Sequence, residues 1–156
     1  MGVFNLTNMK PEIISEIEIS YKPKNAKNPA VKSSDDVYRH LVQFYPEESI
    51  ALQEQFTVAY LNRANKILGV SVVSKGGITG TIADPRIIMA LALKTAATGI
   101  VLCHNHPSGN LQPSAADIEI TKKIESACKY FDINLLDHII ISPEGTYFSF
   151  VDEGLF

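Results

Sequence analysis

The sequence predicts a single α/β domain built on a mixed sheet, and three observations carry that expectation. Candidate strands and helices are intermixed along the chain, with a candidate hairpin toward each end. The run 99–103 (GIVLC) is continuously apolar, as a central strand covered on both faces must be. The chain has 156 residues, 46% of them apolar, and a domain of that size buries roughly two thirds of the surface its unfolded form exposes.

The elements follow in order. Residues 12–21 (EIISEIEISY) alternate Ile14, Ile17 and Ile19 with Glu and Ser, the pattern of a strand with one wet face. The stretch 22–32 sets Lys22, Lys24, Lys27 and Lys32 among prolines with no aromatic for a base to stack on, so it reads as a solvated linker. A boundary between 1–32, strand plus basic linker, and a domain over 33–156 is therefore expected. Ser33-Ser34-Asp35-Asp36 starts a short helix with Val37, Leu41 and Phe44 on one stripe, ended by Pro46-Glu47-Glu48. His40 on that helix stands apart from other ligand types and reads as a surface or boundary residue. Residues 54–62 and 66–74 form a hairpin across Arg63-Ala64-Asn65, and Lys75-Gly76-Gly77 is a turn.

Asp84 as N-cap and Pro85 at the first helical position open a helix over 84–97. Its Ala, Leu, Ile and Met content predicts burial around most of its circumference, with Gly99 as its terminator. After the 99–103 strand comes a polar loop over 104–113, a second long helix over 114–131, and strands over 134–142 and 146–151 around Pro143-Glu144-Gly145. Helices 84–97 and 114–131 are expected to flank the sheet.

Composition excludes several function classes. No apolar run approaches the ~20 residues of a membrane span, and MGVFNLTNMKPEI lacks the basic-then-apolar order of a secretory leader. Two cysteines, Cys103 and Cys128, make no disulfide framework and suit a reduced, cytoplasmic setting. With 14 basic and 17 acidic residues the net charge is −3, which speaks against nucleic-acid binding by bulk charge.

The chemistry concentrates in one segment. His104 and His106 are two apart where the buried strand runs out, so in extended backbone their imidazoles face one volume. Eleven residues beyond His106, Asp117 stands in the first turn of the next helix. Two imidazoles and a carboxylate are the donor set of a catalytic zinc site with an open fourth position. Ser114 and Asp117 also have the spacing of a capping box, which alone accounts for both. The two roles are compatible, because a hydroxyl accepts an N–H and still has a proton to donate. Cys103 should point to the opposite face, into the core. Asp137 and His138 are adjacent on a strand and face opposite sides, so packing or hydrogen bonding behind the ligands suits them better than ligation. A general base is needed nearby, and this segment does not name it.

The spacing His104-Asn-His106, seven residues, Ser114-Ala-Ala-Asp117 matches the H-x-H-x(7)-S-x-x-D signature of the JAMM (MPN) metalloproteases. HNHPSGN and DIEITKK resemble the RadC branch of that superfamily, as do NRANKILGV, GGITGTIADPR, LDHIIISPEG and FVDEGLF, so the resemblance covers residues 11–156. It implies a short RadC-like chain without the helix-hairpin-helix region of long members, and a JAMM/MPN, cytidine-deaminase-like architecture with a mixed, curved sheet. It also implies one zinc per chain held by His104, His106 and Asp117, with Ser114 stabilising an oxyanion. Glu54, at the QE-x-F position, is implied as the general base; by itself the sequence does not separate it from Glu47 or Glu48. Asn105 stands where deubiquitinating members have Ser or Thr, as in other RadC proteins.

The function expected is zinc-dependent hydrolysis of a peptide or isopeptide bond, with a peptide or protein substrate and no membrane partner. The alternative is a non-catalytic DNA-repair or DNA-associated module, in keeping with the description RadC proteins carry. A nucleobase deaminase would need H-x-E and P-C-x-x-C, which are absent from the sequence.

Overall fold

The computed structural model describes residue 21 and residues 27–76 and 83–156. It is a single α/β domain on a five-stranded mixed sheet flanked by helices, with strand order β2-β1-β3-β4-β5. The elements are α1 (Ser34–Leu41), a 3-10 turn (Val42–Phe44), α2 (Glu47–Ile50), β1 (Gln55–Leu61), β2 (Ile67–Lys75), α3 (Pro85–Lys94), β3 (Gly99–Asn105), α4 (Ala115–Tyr130), β4 (Asn134–Ile141) and β5 (Tyr147–Ser149). Of the strand expected over 12–21, residues 12–20 lie outside the described residues, as do 22–26 of the linker. From residue 27 the linker is tied into the domain: Ala30 bridges Lys66 and Val31 is buried.

β1 and β3 are buried at every position, because each lies between two strands and is covered on both faces. Alternation along β3 divides the core. Ile100 and Leu102 join Phe56, Val58 and Tyr60 under α3 and α4, while Val101 and Cys103 join Ala59, Leu61, Ile139 and Ile141 under α1. Cys103 is fully buried on the α1 face as expected, and burial pushes its thiol up to about 12. β3 pairs antiparallel with β1 and parallel with β4; a parallel pair requires a crossover, and α4 is that crossover.

Five local expectations are corrected. The Val37 and Leu41 stripe is buried, but the chain tightens into the 3-10 turn after Leu41, so Tyr45 takes the core place expected of Phe44. Pro46-Glu47-Glu48 does not merely end a helix; Pro46 is the N-cap of one-turn α2. Helix α3 is buried only through Ile88, Met89 and Ala92, and its Ile87 and Leu93 are about half exposed, because no described layer covers its outer side. It ends at a left-handed Ala96 (φ 51°), not at Gly99, which is the first residue of β3. A Cβ at Gly99 would lie 2.8 Å from Leu136 Cδ1, so the Leu136 side chain fills the space a larger residue there would need. Finally, β3 runs on through Asn105, so His104 and Asn105 belong to the strand and not to the loop.

Candidate metal centre

The carboxyl end of β3 carries the site, the end at which open α/β sheets bind ligands. Strand geometry continues past β3, since the His106 N–H donates to the Ile141 carbonyl at 2.9 Å, and this keeps His104 and His106 on the α4 side. The loop behind them returns through Gly109, whose φ of +78° suits glycine and where a Cβ would strike the Glu144 carboxylate. It delivers Ser114 as N-cap of α4. The Ser114 hydroxyl accepts from the Asp117 N–H, and the Asp117 carboxylate accepts from the Ser114 N–H, a complete capping box. The cap and the site therefore share residues: the hydrogen bonds that start the helix also aim the Asp117 carboxylate back at the histidines.

His104 Nε2 lies 2.9 Å from His106 Nε2 and 3.2 Å from Asp117 Oδ1, and His106 Nε2 lies 3.4 Å from Asp117 Oδ2. One ligand atom from each of the three residues falls within 4.8 Å of the others, so the cluster fits a metal ion. The donor set fits too, because electron-pair donors this close repel one another unless a proton or a cation lies between them. Burial alone would push the Asp117 carboxyl up, but the adjacent imidazoles of His104 and His106, together with Ser114, hold it far below the usual carboxylate range. The same contact with Asp117, against the opposing effect of burial, raises His106.

The hydrogen bonds behind the cluster determine which nitrogens face it. Thr121 Oγ1 donates to the Asp117 carbonyl, so toward His138 it accepts, and His138 Nδ1 is the donor at 2.7 Å. Burial holds His138 well below its ordinary pKa, hence neutral, and its Nε2 has only a lone pair to offer. His104 Nδ1 must then donate to it at 2.8 Å, leaving the His104 Nε2 lone pair aimed at the cluster. For His106 the Asn110 carbonyl does the same work, taking the Nδ1 proton. Stacking of His104 on Phe56, with ring centroids 5.8 Å apart, fixes the plane of that ring.

Glu54 reaches the site through strand pairing. Phe56 pairs with His104, so continuing the antiparallel register by two residues sets Glu54 level with His106. Glu54 is half-buried and lines a cleft of about 230 Å³ with Phe56, Ala83, Ala116, Asp117 and Ile120, among others. The structure thus brings Glu54, His104, His106, Ser114 and Asp117 to one end of the sheet. Asp137 and His138 do face opposite sides: Asp137 accepts from Ser149, Val151 and the His138 N–H away from the cluster. Thr121 went unnoticed in the sequence, although its place four residues after Asp117 on the helix puts it beneath that candidate ligand.

Comparison with known proteins agrees with this geometry. A model of the RadC-like JAB domain matches residues 31–155. Curated relatives, each described as a UPF0758 protein, include one from Flavobacterium johnsoniae, 54% identical over 103 residues (66% of this chain, 44% of the relative). Another from Porphyromonas gingivalis is 37% identical over 146 residues (92% and 63%), and one from Aquifex aeolicus 33% over 140 (89% and 58%). The chain therefore spans about half the length of the relatives it matches. By sequence match across most of its length, and with a fold and a candidate metal cluster to suit, this chain belongs to the RadC-like JAB domain family.

Proposed function

We propose that this domain is a zinc-dependent hydrolase that cleaves peptide or isopeptide bonds. The observation that carries the reading is the convergence of His104, His106 and Asp117 at one end of a cleft whose wall includes Glu54. His104 and His106 would hold the metal through Nε2 and Asp117 through its carboxylate, a set that leaves room for one further ligand. When bound, zinc supplies a Lewis acid that brings the pKa of water to about 7 and polarises a carbonyl. Glu54 takes the proton from the attacking water and returns it to the leaving amine. Ser114 is exposed, and its hydroxyl turns from the Asp117 carboxylate to donate to the developing oxyanion. Phe56, Ala83 and Ile120 give the cleft an apolar floor that suits a substrate side chain next to the scissile bond.

Elemental analysis of chain purified without chelator or nickel tests the metal half of this reading. About one zinc per chain is expected, falling to trace in His106→Ala and Asp117→Ala. A folded chain that takes up no zinc when it is supplied would overturn the reading. The chemical half is tested by screening peptide and isopeptide substrates, where Glu54→Gln is expected to keep its zinc and lose turnover by at least ~100-fold.

A further inference from the structure

Between the two histidines lies a residue the reaction scheme does not use. Asn105 is fully buried and, by strand alternation, points to the α1 side, away from the cluster. Its Nδ2 donates to the carbonyls of Ile50 (2.7 Å) and Gln53 (2.9 Å), and its Oδ1 accepts from the Gln55 N–H (2.8 Å). Two of these three bonds grip the residues on either side of Glu54. The β1–β3 ladder ends at Phe56 and His104, so the carboxamide continues the pairing where the backbone no longer does. Just past β2, the Gly76 N–H donates to the Glu54 carbonyl at 2.8 Å, holding the same residue from its other edge.

We propose, on the hydrolase reading above, that Asn105 is a positioning residue that sets the Glu54 carboxylate relative to the metal ligands. Because Asn105 is the residue between His104 and His106, ligands and base are referenced to the same three residues of backbone. The grip comes from the face opposite the cleft, which leaves the Glu54 side chain free. A carboxamide is required, since it alone presents two donors and an acceptor on one plane. A serine hydroxyl has a single proton, and an aspartate would set its charge against two carbonyl oxygens. Asn105 thereby acts on proton transfer and not on metal binding.

The test uses the whole chain loaded with Co2+, read by the visible spectrum against pH. Asn105→Ala, and Asn105→Ser if the alanine variant does not fold, are expected to bind about one Co2+ per chain. Glu54→Gln removes a negative charge beside the metal and is expected to lower the pH midpoint of the spectral change by roughly one unit. The Asn105 variants are expected to lower it likewise, and Asn105→Ala with Glu54→Gln to go no lower than Glu54→Gln alone. An unchanged midpoint in a folded, Co2+-loaded Asn105 variant overturns the proposal, and so does a further shift added on top of Glu54→Gln. Wild-type chain that binds no Co2+ removes the hydrolase reading itself, and this role of Asn105 with it.

Discussion

On the α1 face of the sheet, Tyr45, Thr57 and the Cys103 carbonyl make a buried polar knot, with the Tyr45 hydroxyl 2.8 Å from both partners. On the α4 face, Thr121, His138 and His104 make a chain of the same kind, which ends at lone pairs facing His106 and Asp117. Both are satisfied in the same formal sense: among the described residues no buried side-chain nitrogen or oxygen lacks a partner. The difference is closure. On the α1 face every donor ends on a protein acceptor, and nothing further is wanted. On the α4 face, electron-pair donors from three residues converge, and only a proton or a cation relieves them. Buried polarity does not mark a site; an excess of acceptors at one point does.

The sharpest way to break this comparison is to remove a converging acceptor. Asp117→Ala is expected to abolish metal uptake and also to cost about 1 kcal/mol of stability through the lost cap, read by elemental analysis and urea unfolding. One step behind the ligands, His138→Ala takes away the acceptor for His104 Nδ1–H and should weaken metal binding about 10–100-fold in a chelator competition. His138→Gln, which keeps an acceptor and a donor, should recover part of that loss. Equal metal affinity in all three chains would end the claim that His138 orients His104.

The closed knot makes the opposite prediction. Tyr45→Phe should lower unfolding stability by about 1–2 kcal/mol and leave metal affinity unchanged. A fall in metal affinity there would blur the distinction between the faces. The smallest expected effect is at Asp137. Burial raises its carboxyl pKa, so the protonated form is the one the fold prefers. Nothing is lost below the ordinary value of 3.8, and stability declines as pH rises from there through the raised value. Asp137→Asn keeps an oxygen for the His138 and Val151 N–H groups while its amide faces Ser149. It should flatten that decline, measured by unfolding as pH is raised from below 3.8. A wild-type profile with no such slope would remove Asp137 as its source.

The site was unevenly legible in the sequence. His104, His106 and Asp117 could be grouped because they are close in the chain, and strand and cap geometry say where each side chain goes. Glu54 stood out only through the family resemblance, because its nearness to His106 depends on how β1 pairs with β3. The expected burial of α3 failed for a similar reason. An apolar helix does not declare how many layers cover it, and Ile87 and Leu93 lie on a side that none of the described elements cover.

By itself, the sequence determined what is local: the order of the sheet strands and of the longer helices, the caps at Asp84 and Ser114, the division of β3 between two faces, and the spacing of the three candidate ligands. These follow from backbone geometry over a few residues, where period and hydrogen-bonding reach are known in advance. The tertiary structure alone decided what joins distant segments: Glu54 level with His106, Asn105 gripping residues 50–55, and Thr121 setting the proton of His138. Each of these relations joins residues 17 or more apart in the chain. A hydrogen bond is directional over about 3 Å, so its partner is chosen only after strand register and helix packing have brought the groups into range.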